Sequence, residues 1–179
     1  MNEAIIRPAV PADLKAVAEI FTHYVTHTVA TFEETPPTVA AWHQRLDHLT
    51  GRGLPFLVAE LSGEVAGYAY AGPWRDRPAY RHTVEDTIYV APDRTGRGLG
   101  AALLGALLAE STRAGLHQMI AVITDTGSAG STGSAALHRR FGFADAGLLT
   151  GVGYKHGRWI DTRLMQRALS ASSVREFSP

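Results

Sequence analysis

A chain of 179 residues with a hydrophobic share of 45% is of single-domain size and suits a packed core. Lys plus Arg and Asp plus Glu stand at 17 each, so the formal net charge is zero; this argues against a general nucleic-acid binder, which needs a basic excess to neutralise phosphates. There is no cysteine, which excludes disulfide scaffolds, thiolate zinc sites and cysteine nucleophiles.

In chain order, Met1-Asn2-Glu3-Ala4 lacks the basic and apolar run of a signal peptide, and no later apolar run is long enough to span a membrane. The expectation is a soluble, cytoplasmic protein that binds neither nucleic acid nor membrane. Residues 4–7 form a short strand stopped by Pro8, and Pro11-Ala12-Asp13 opens a helix with Leu14, Val17, Ala18 and Phe21 at helical spacing. A polar loop carries Thr31-Phe32-Glu33-Glu34 and ends in Pro36-Pro37. A second helix covers about 38–49. The strands 56–61 and 64–71 form a hairpin around Ser62-Gly63.

A loop from Gly72 to Arg81, rich in Arg, Pro and aromatics, leads into an alternating strand over 83–90, where Thr83, Glu85, Thr87 and Tyr89 share a face. Pro92 ends that strand. Leu99, Leu103 and Leu107, with Leu104 and Leu108, then mark an amphipathic helix. A strand over 118–124, a Gly/Ser/Thr loop over 125–133, a short helix over 134–140 and two strands around 146–155 and 159–166 complete the chain. Residues 170–179 read as a flexible tail, leaving one domain over 1–169. The class is α/β or α+β: a mixed, mostly antiparallel central sheet flanked by helices.

The most informative stretch is Tyr89-Val90-Ala91-Pro92-Asp93-Arg94-Thr95-Gly96-Arg97-Gly98-Leu99-Gly100-Ala101. A strand enters, a glycine-rich turn follows and a helix leaves. Alternate glycines let the backbone turn tightly and remove Cβ atoms that would block a ligand. The free N–H groups at the helix start then bind anions, with Arg94 and Arg97 adding charge at the rim. This pattern predicts a pyrophosphate cradle. No Gly-x-x-x-x-Gly-Lys-[Ser/Thr] is present, which argues against a P-loop nucleotidase. Gly96-Arg97-Gly98-Leu99-Gly100-Ala101 satisfies a loose dinucleotide fingerprint, but it lies past the middle of the chain, with too little sequence left for the second half of that fold.

The segment resembles the signature of the GNAT superfamily of N-acetyltransferases, Arg/Gln-x-x-Gly-x-Gly/Ala, with Gly98 and Gly100 as its glycines and Thr95 where Arg or Gln is usual. Ala135-Ala136-Leu137-His138-Arg139-Arg140-Phe141-Gly142-Phe143 is similar to the later superfamily segment that closes over the thioester. Three further segments resemble the phosphinothricin and methionine sulfoximine acetyltransferase branch. They are Thr31-Phe32-Glu33, the run from Trp74 through Arg75, Arg77, Ala79, Tyr80 and Thr83 to Glu85, and Gly153-Tyr154-Lys155-His156-Gly157-Arg158-Trp159-Ile160-Asp161. In the loop 125–133, Ser131 stands where the branch commonly has an Asn that contacts the pantetheine arm; Ser134 fits the pattern.

The resemblance implies acetyl-CoA as co-substrate and a small amine as acceptor, transferred directly in a ternary complex by a homodimer. It implies cofactor contacts from Ile88, Tyr89, Val90, Thr95, Gly96, Arg97, Gly98, Leu99, Gly100, Ala101, Ser131 and Ser134. An amine is protonated at neutral pH, so a base must first deprotonate it; Glu85 is the candidate, since enclosure raises a carboxyl pKa toward working pH. A backbone N–H near Tyr89 and Val90 is the candidate oxyanion donor. His138 occupies the position of a common superfamily Tyr and is the candidate acid for the leaving thiolate. For the acceptor, the planar forks of Arg75 and Arg77 suit a carboxylate or phosphinate. Trp74, Tyr80 and Phe32 offer apolar walls, Glu33 an ammonium partner, and Thr83 lies beside Glu85.

Two other functions fit parts of the pattern: acetylation of protein N-termini or another amine, and a non-catalytic acyl-CoA-binding regulatory module. His23 and His27 have i, i+4 spacing, but no Glu follows His23; they read as a surface pair rather than a metal site.

Overall fold

The structure, a computed structural model, describes residues 4–169. The expected tail over 170–179, the first three residues and the side chains of 129–131 lie outside the described residues.

Seven strands form one sheet: β1 Ile5–Pro8, β2 Phe56–Leu61, β3 Glu64–Pro73, β4 Thr83–Val90, β5 Gln118–Asp125, β6 Ala144–Lys155 and β7 Arg158–Ala168. Their spatial order is β1-β2-β3-β4-β5-β7-β6. Every neighbouring pair is antiparallel except β4 and β5, which are parallel and joined through α3 Leu99–Arg113. The two hairpins close with paired positive-φ residues, Ser62 (57°) with Gly63 (81°) and His156 (50°) with Gly157 (76°). This is the backbone twist that two-residue hairpin turns require.

Helices α1 Leu14–His27 and α2 Val39–Gly51 pack together, and α1 also packs on β3 and β4. The strand β3 explains how helices cover both faces. Tyr68 and Tyr70 point to one side, where Tyr68 meets Trp42 (ring centroids 5.5 Å) and Tyr89 (5.8 Å). Gly67 and Ala69 alternate with them, and a Cβ on Gly67 would stand 3.2 Å from Leu103 of α3. Small residues on one face let α3 approach; aromatic rings on the other fill the space under α1 and α2. Leu103, Leu104 and Leu107 are fully buried in the resulting core.

The first helix begins one turn later than its sequence suggests. Pro11–Asp13 forms a separate 3-10 turn, and Asp13 accepts hydrogen bonds from the Val10 N–H (2.8 Å) and from both terminal nitrogens of Arg7 (2.8 and 2.9 Å). A larger correction concerns the Gly/Ser/Thr segment: helix α4 runs Ala129–Arg140, starting five residues before the expected 134. Low intrinsic propensity is overridden there by tertiary packing against β5. Gly142 (φ 82°) ends the helix, with the Phe143 N–H returning to the His138 carbonyl (3.0 Å).

Gly67 leaves no room for a side chain, since a Cβ there would also lie 3.0 Å from the Tyr89 carbonyl oxygen. Gly67→Val is expected to lower stability by about 1–3 kcal/mol through overpacking, seen as a lower urea midpoint at unchanged m-value.

Candidate active site

The site begins where the sheet divides. The parallel ladder between β4 and β5 covers only Thr83↔Gln118, Val84↔Met119 and Glu85↔Ile120. Beyond Glu85, β4 stays with β3 as far as Val90, while β5 stays with β7 as far as Asp125. A cleft of about 630 Å³ opens in the fork.

The direction of the backbone groups in this fork follows from two hydrogen bonds. The Thr83 carbonyl accepts from the Trp74 N–H (3.3 Å), and the Ala91 N–H donates to the Ala66 carbonyl (2.8 Å). Both lie on the β3 side, and the register between them is unbroken. Alternation along the strand therefore turns the N–H groups of Asp86, Ile88 and Val90 to the β5 side; the Asp86 N–H closes the last rung of the ladder at Ile120, and those of Ile88 and Val90 face the gap. This sharpens the sequence expectation from Tyr89 and Val90 to Ile88 and Val90. The Val90 carbonyl is occupied by the Tyr24 hydroxyl (2.6 Å).

At the outer end of the cleft stand Thr95, Gly96, Gly98, Leu99 and Gly100. Gly96 (φ 73°) and Gly98 (φ 80°) are left-handed, and Gly98 occupies the N-cap of α3 without any side-chain cap. The first intrahelical bond runs from the Ala102 N–H to the Gly98 carbonyl (3.0 Å), so the N–H groups of the first turn, Leu99 to Ala101, have no helical acceptor. A Cβ on Gly96 or Gly98 would meet nothing within 4 Å. Uncapped donors under clear space fit a pyrophosphate. The arginines contribute less than their sequence position suggests. Arg94 lines the cleft, but its guanidinium is shared with Asp93 (3.0 Å) and Glu64 (3.4 Å), while Arg97 is exposed outside the lining. Ala101 also lies outside the lining.

Deeper in the fork are Glu85, Asp86 and His138. Burial lifts the Glu85 carboxyl above its ordinary pKa, the neighbouring charge of Asp86 adds to the rise, and Arg75 opposes it. The His138 ring is buried, which works against its charge. Hydrogen bonding to Asp86, the charge of Asp86 and the Ser134 carbonyl outweigh that penalty, so its pKa is raised. His138 Nε2 lies 2.8 Å from Asp86 Oδ2, Nδ1 lies 2.7 Å from the Ser134 carbonyl, and Phe143 meets the ring edge to face at 4.9 Å.

The cleft thus brings together Glu85, His138, Ile88, Tyr89, Val90, Thr95, Gly96, Gly98, Leu99, Gly100 and Ser134. The Ser131 side chain lies outside the described residues. Arg75, Arg77, Tyr80 and Thr83 line a separate cavity of about 370 Å³ at the start of β4, with Arg52, Arg81 and His82. Trp74 carries the Arg75 guanidinium over its ring at 4.1 Å. The loop with Phe32 and Glu33 is pinned from two sides: the Tyr89 hydroxyl donates to the Ala30 carbonyl (3.4 Å) and the buried Lys155 ammonium to the Thr31 carbonyl (2.8 Å). Phe32 lies directly over Gly153, where a Cβ would fall inside its ring. The rings of His23 and His27 lie 5.1 Å apart. Among the described residues no group of three or more His, Cys, Asp or Glu gathers to hold a metal.

Sequence reasoning missed Asp86, together with Tyr24, Ala30 and the β5 wall Val122, Ile123 and Thr124. Asp86 had a readable signal: it shares the alternation phase of Val84, the apolar face of its strand, where a carboxylate needs a partner.

Residues 6–164 match the family model of the acetyltransferase (GNAT) domain, so the chain belongs to the GNAT family of acetyltransferases. It is 46% identical over 162 residues to a phosphinothricin N-acetyltransferase of Alcaligenes faecalis, covering 90% of this chain and 81% of the relative. It is 43% identical over 164 residues to an L-methionine sulfoximine/L-methionine sulfone acetyltransferase of Pseudomonas paraeruginosa, covering 91% and 93%. Among solved structures, it resembles a GNAT superfamily phosphinothricin acetyltransferase from Sinorhizobium meliloti in complex with AcCoA. The TM-score is 0.89 at 46% identity, over 97% of this chain and 92% of the other.

Proposed function

We propose that the chain transfers an acetyl group from acetyl-CoA to the amine of a small amino acid or analogue, of the phosphinothricin and methionine sulfoximine or sulfone kind. The observation that carries this reading is the fork between β4 and β5, with an uncapped glycine turn at its mouth and two ionisable groups, Glu85 and His138, in its depth. The names of the relatives support the acceptor class.

Acetyl-CoA, when bound, supplies an acyl group activated as a thioester. The N–H groups from Thr95 to Ala101, through Gly96, Arg97, Gly98, Leu99 and Gly100, hold its pyrophosphate, and Ser134 borders the pantetheine arm. Ile88 and Val90 offer their N–H groups to the reacting carbonyl oxygen in the gap. Glu85 takes a proton from the acceptor ammonium, directly or through water, helped by its raised pKa. His138 holds a proton for the departing sulfur. Arg75 and Arg77 receive the acceptor's acidic group, with Trp74, Tyr80 and Thr83 around it, and the charge of Arg75 already reaches Glu85. Phe32 and Glu33 close the other side. Dependence on acetyl-CoA makes the cytoplasm the natural compartment.

The same reading includes a homodimer. Strand β6 is one of the two edge strands of the sheet, β1 being the other. Leu148, Leu149, Val152 and Tyr154 on it, with Trp159 on β7, are exposed, Trp159 by 72%. Adjoining exposed apolar side chains on an edge favour a second copy as their cover.

Variants of the base, the acceptor arginines and the β6 edge test these assignments. Glu85→Gln should lower kcat by roughly 100-fold or more, as loss of a general base does, while acetyl-CoA affinity by calorimetry stays unchanged. The wild-type rate should rise with pH through a carboxyl pKa above the ordinary value, because the ionised form is the base, and the variant should lose that limb. A CoA-release assay across amino acids, methionine derivatives, phosphinothricin and peptide amines should respond to the small acids. There, Arg75→Ala with Arg77→Ala should raise the acceptor KM about tenfold or more with little change in kcat, the pattern of lost uniform binding. Unchanged KM removes the arginines from the acceptor site. Leu148→Glu with Val152→Glu should convert a sedimenting dimer to a monomer; a wild type that already sediments as a monomer defeats the dimer reading.

A further inference from the structure

Asp86 has no place in the chemistry described so far, yet it is the most constrained carboxyl group in the cleft. Its side chain is 4% exposed and that of His138 is 6% exposed, and they meet at 2.8 Å across 52 residues of sequence. The other ring nitrogen faces the Ser134 carbonyl at 2.7 Å. A carbonyl oxygen only accepts, so Nδ1 carries a hydrogen. The Nε2···Oδ2 contact also needs a hydrogen, contributed either by the ring or by the carboxyl group. In both arrangements the pair holds one more proton than a neutral histidine beside a carboxylate. Without that proton, two acceptors would face each other in a buried position with a net negative charge.

We propose that Asp86 is the positioning residue of this site: it fixes the His138 ring between two acceptors and keeps the pair loaded with the proton that the departing sulfur receives. The inference rests on the reading of His138 as the acid. The proton balance is complete without an outside reagent. As the C–N bond forms, the C–S bond breaks and its electron pair leaves on sulfur. Sulfur takes the proton shared by His138 Nε2 and Asp86 Oδ2. The acceptor nitrogen sheds two protons in becoming an amide, taken up by Glu85 and the water of the cleft; one of them is returned through that water to the pair and the other leaves to solvent. His138 cannot serve as the base in the resting site, because neither ring nitrogen has a free lone pair.

The ionisable groups around the ring are few. From β4 come Asp86 and, one residue earlier, Glu85; from α4 itself comes the uncharged Ser134 carbonyl; from the turn before β6 comes the uncharged ring of Phe143. The β5 wall opposite, Val122 to Thr124, is uncharged. Removing the Asp86 charge therefore leaves no other anion in contact with the ring among the described residues.

The test uses the full chain labelled with nitrogen-15 in its eight histidines, with the His138 signals assigned through His138→Gln. In the ligand-free wild type, both ring nitrogens should remain protonated above the ordinary histidine range. In Asp86→Asn the His138 titration should move to lower pH, and in Asp86→Glu it should move part of the way back. In turnover, Asp86→Asn should lower kcat by up to roughly 100-fold, the low end for an acid–base group. Its KM for acetyl-CoA should be unchanged, and the alkaline limb of its pH profile should move down with the ring titration. Thermal unfolding of each variant checks that the ring is observed in folded protein. If Asp86→Asn leaves both the ring titration and the alkaline limb in place, the proposal is overturned although the acid reading of His138 stands. If His138→Gln keeps wild-type kcat, the acid reading fails and the proposal falls with it.

Discussion

The parting of β4 from β5 after Glu85 is the constraint on which the site depends. A parallel pair that continued to the end of β4 would engage the Ile88 and Val90 N–H groups and leave no cleft. Three residue pairs hold the strands together, and then each follows its other neighbour. Beyond the third pair each strand keeps its other partner, β4 with β3 and β5 with β7, and this pairing holds the fork open. The small residues of β3 take part in this. They let α3 sit close against the sheet, so the helix N-terminus falls at the mouth of the fork.

The attraction for an anion at that mouth comes from the backbone. The chain has no net charge to contribute, and Arg94 is engaged with two carboxylates. What remains are N–H groups with fixed direction at an uncapped helix start, reinforced by the helix dipole. A ligand bound this way depends on glycine conformations more than on any side chain. That is why Thr95 in place of the usual Arg or Gln leaves the cradle's donor set intact.

The parts legible in the sequence were those set by local periodicity and turn chemistry. Strand β4 runs over its predicted residues, the helix after the glycine turn begins at Leu99, and the mixed, mostly antiparallel sheet is the one expected. The start of α4 was not legible, because Gly130 and Gly133 with three Ser or Thr residues argue for a loop and only packing on β5 reverses that. The Asp86–His138 contact was not legible either. Its members lie on different elements, and neither residue type by itself implies the other. The cluster Arg75, Arg77, Tyr80 was visible as a motif, but its position in a cavity beside β4, separate from the main cleft, follows from the turn at Pro78–Tyr80 and the pairing of Trp74 with Thr83.

Glu85 and Asp86 show how one backbone event separates two chemically similar groups. Glu85 is the last residue of the β4–β5 ladder, and Asp86 is the first beyond it. The Glu85 side chain is half-buried, with no hydrogen-bond partner among the described residues, so burial and its neighbour's charge raise its pKa and leave it open to an incoming proton. Asp86 points to the opposite face of the strand and is committed to His138. A base with vacant lone pairs and a pair already carrying a proton thus stand one residue apart, on either side of the point where the strands divide. A one-residue slip in the register of β4 would exchange the faces they occupy. In the proposed mechanism, the register of the strand thereby sets which carboxyl group accepts a proton and which supports its delivery.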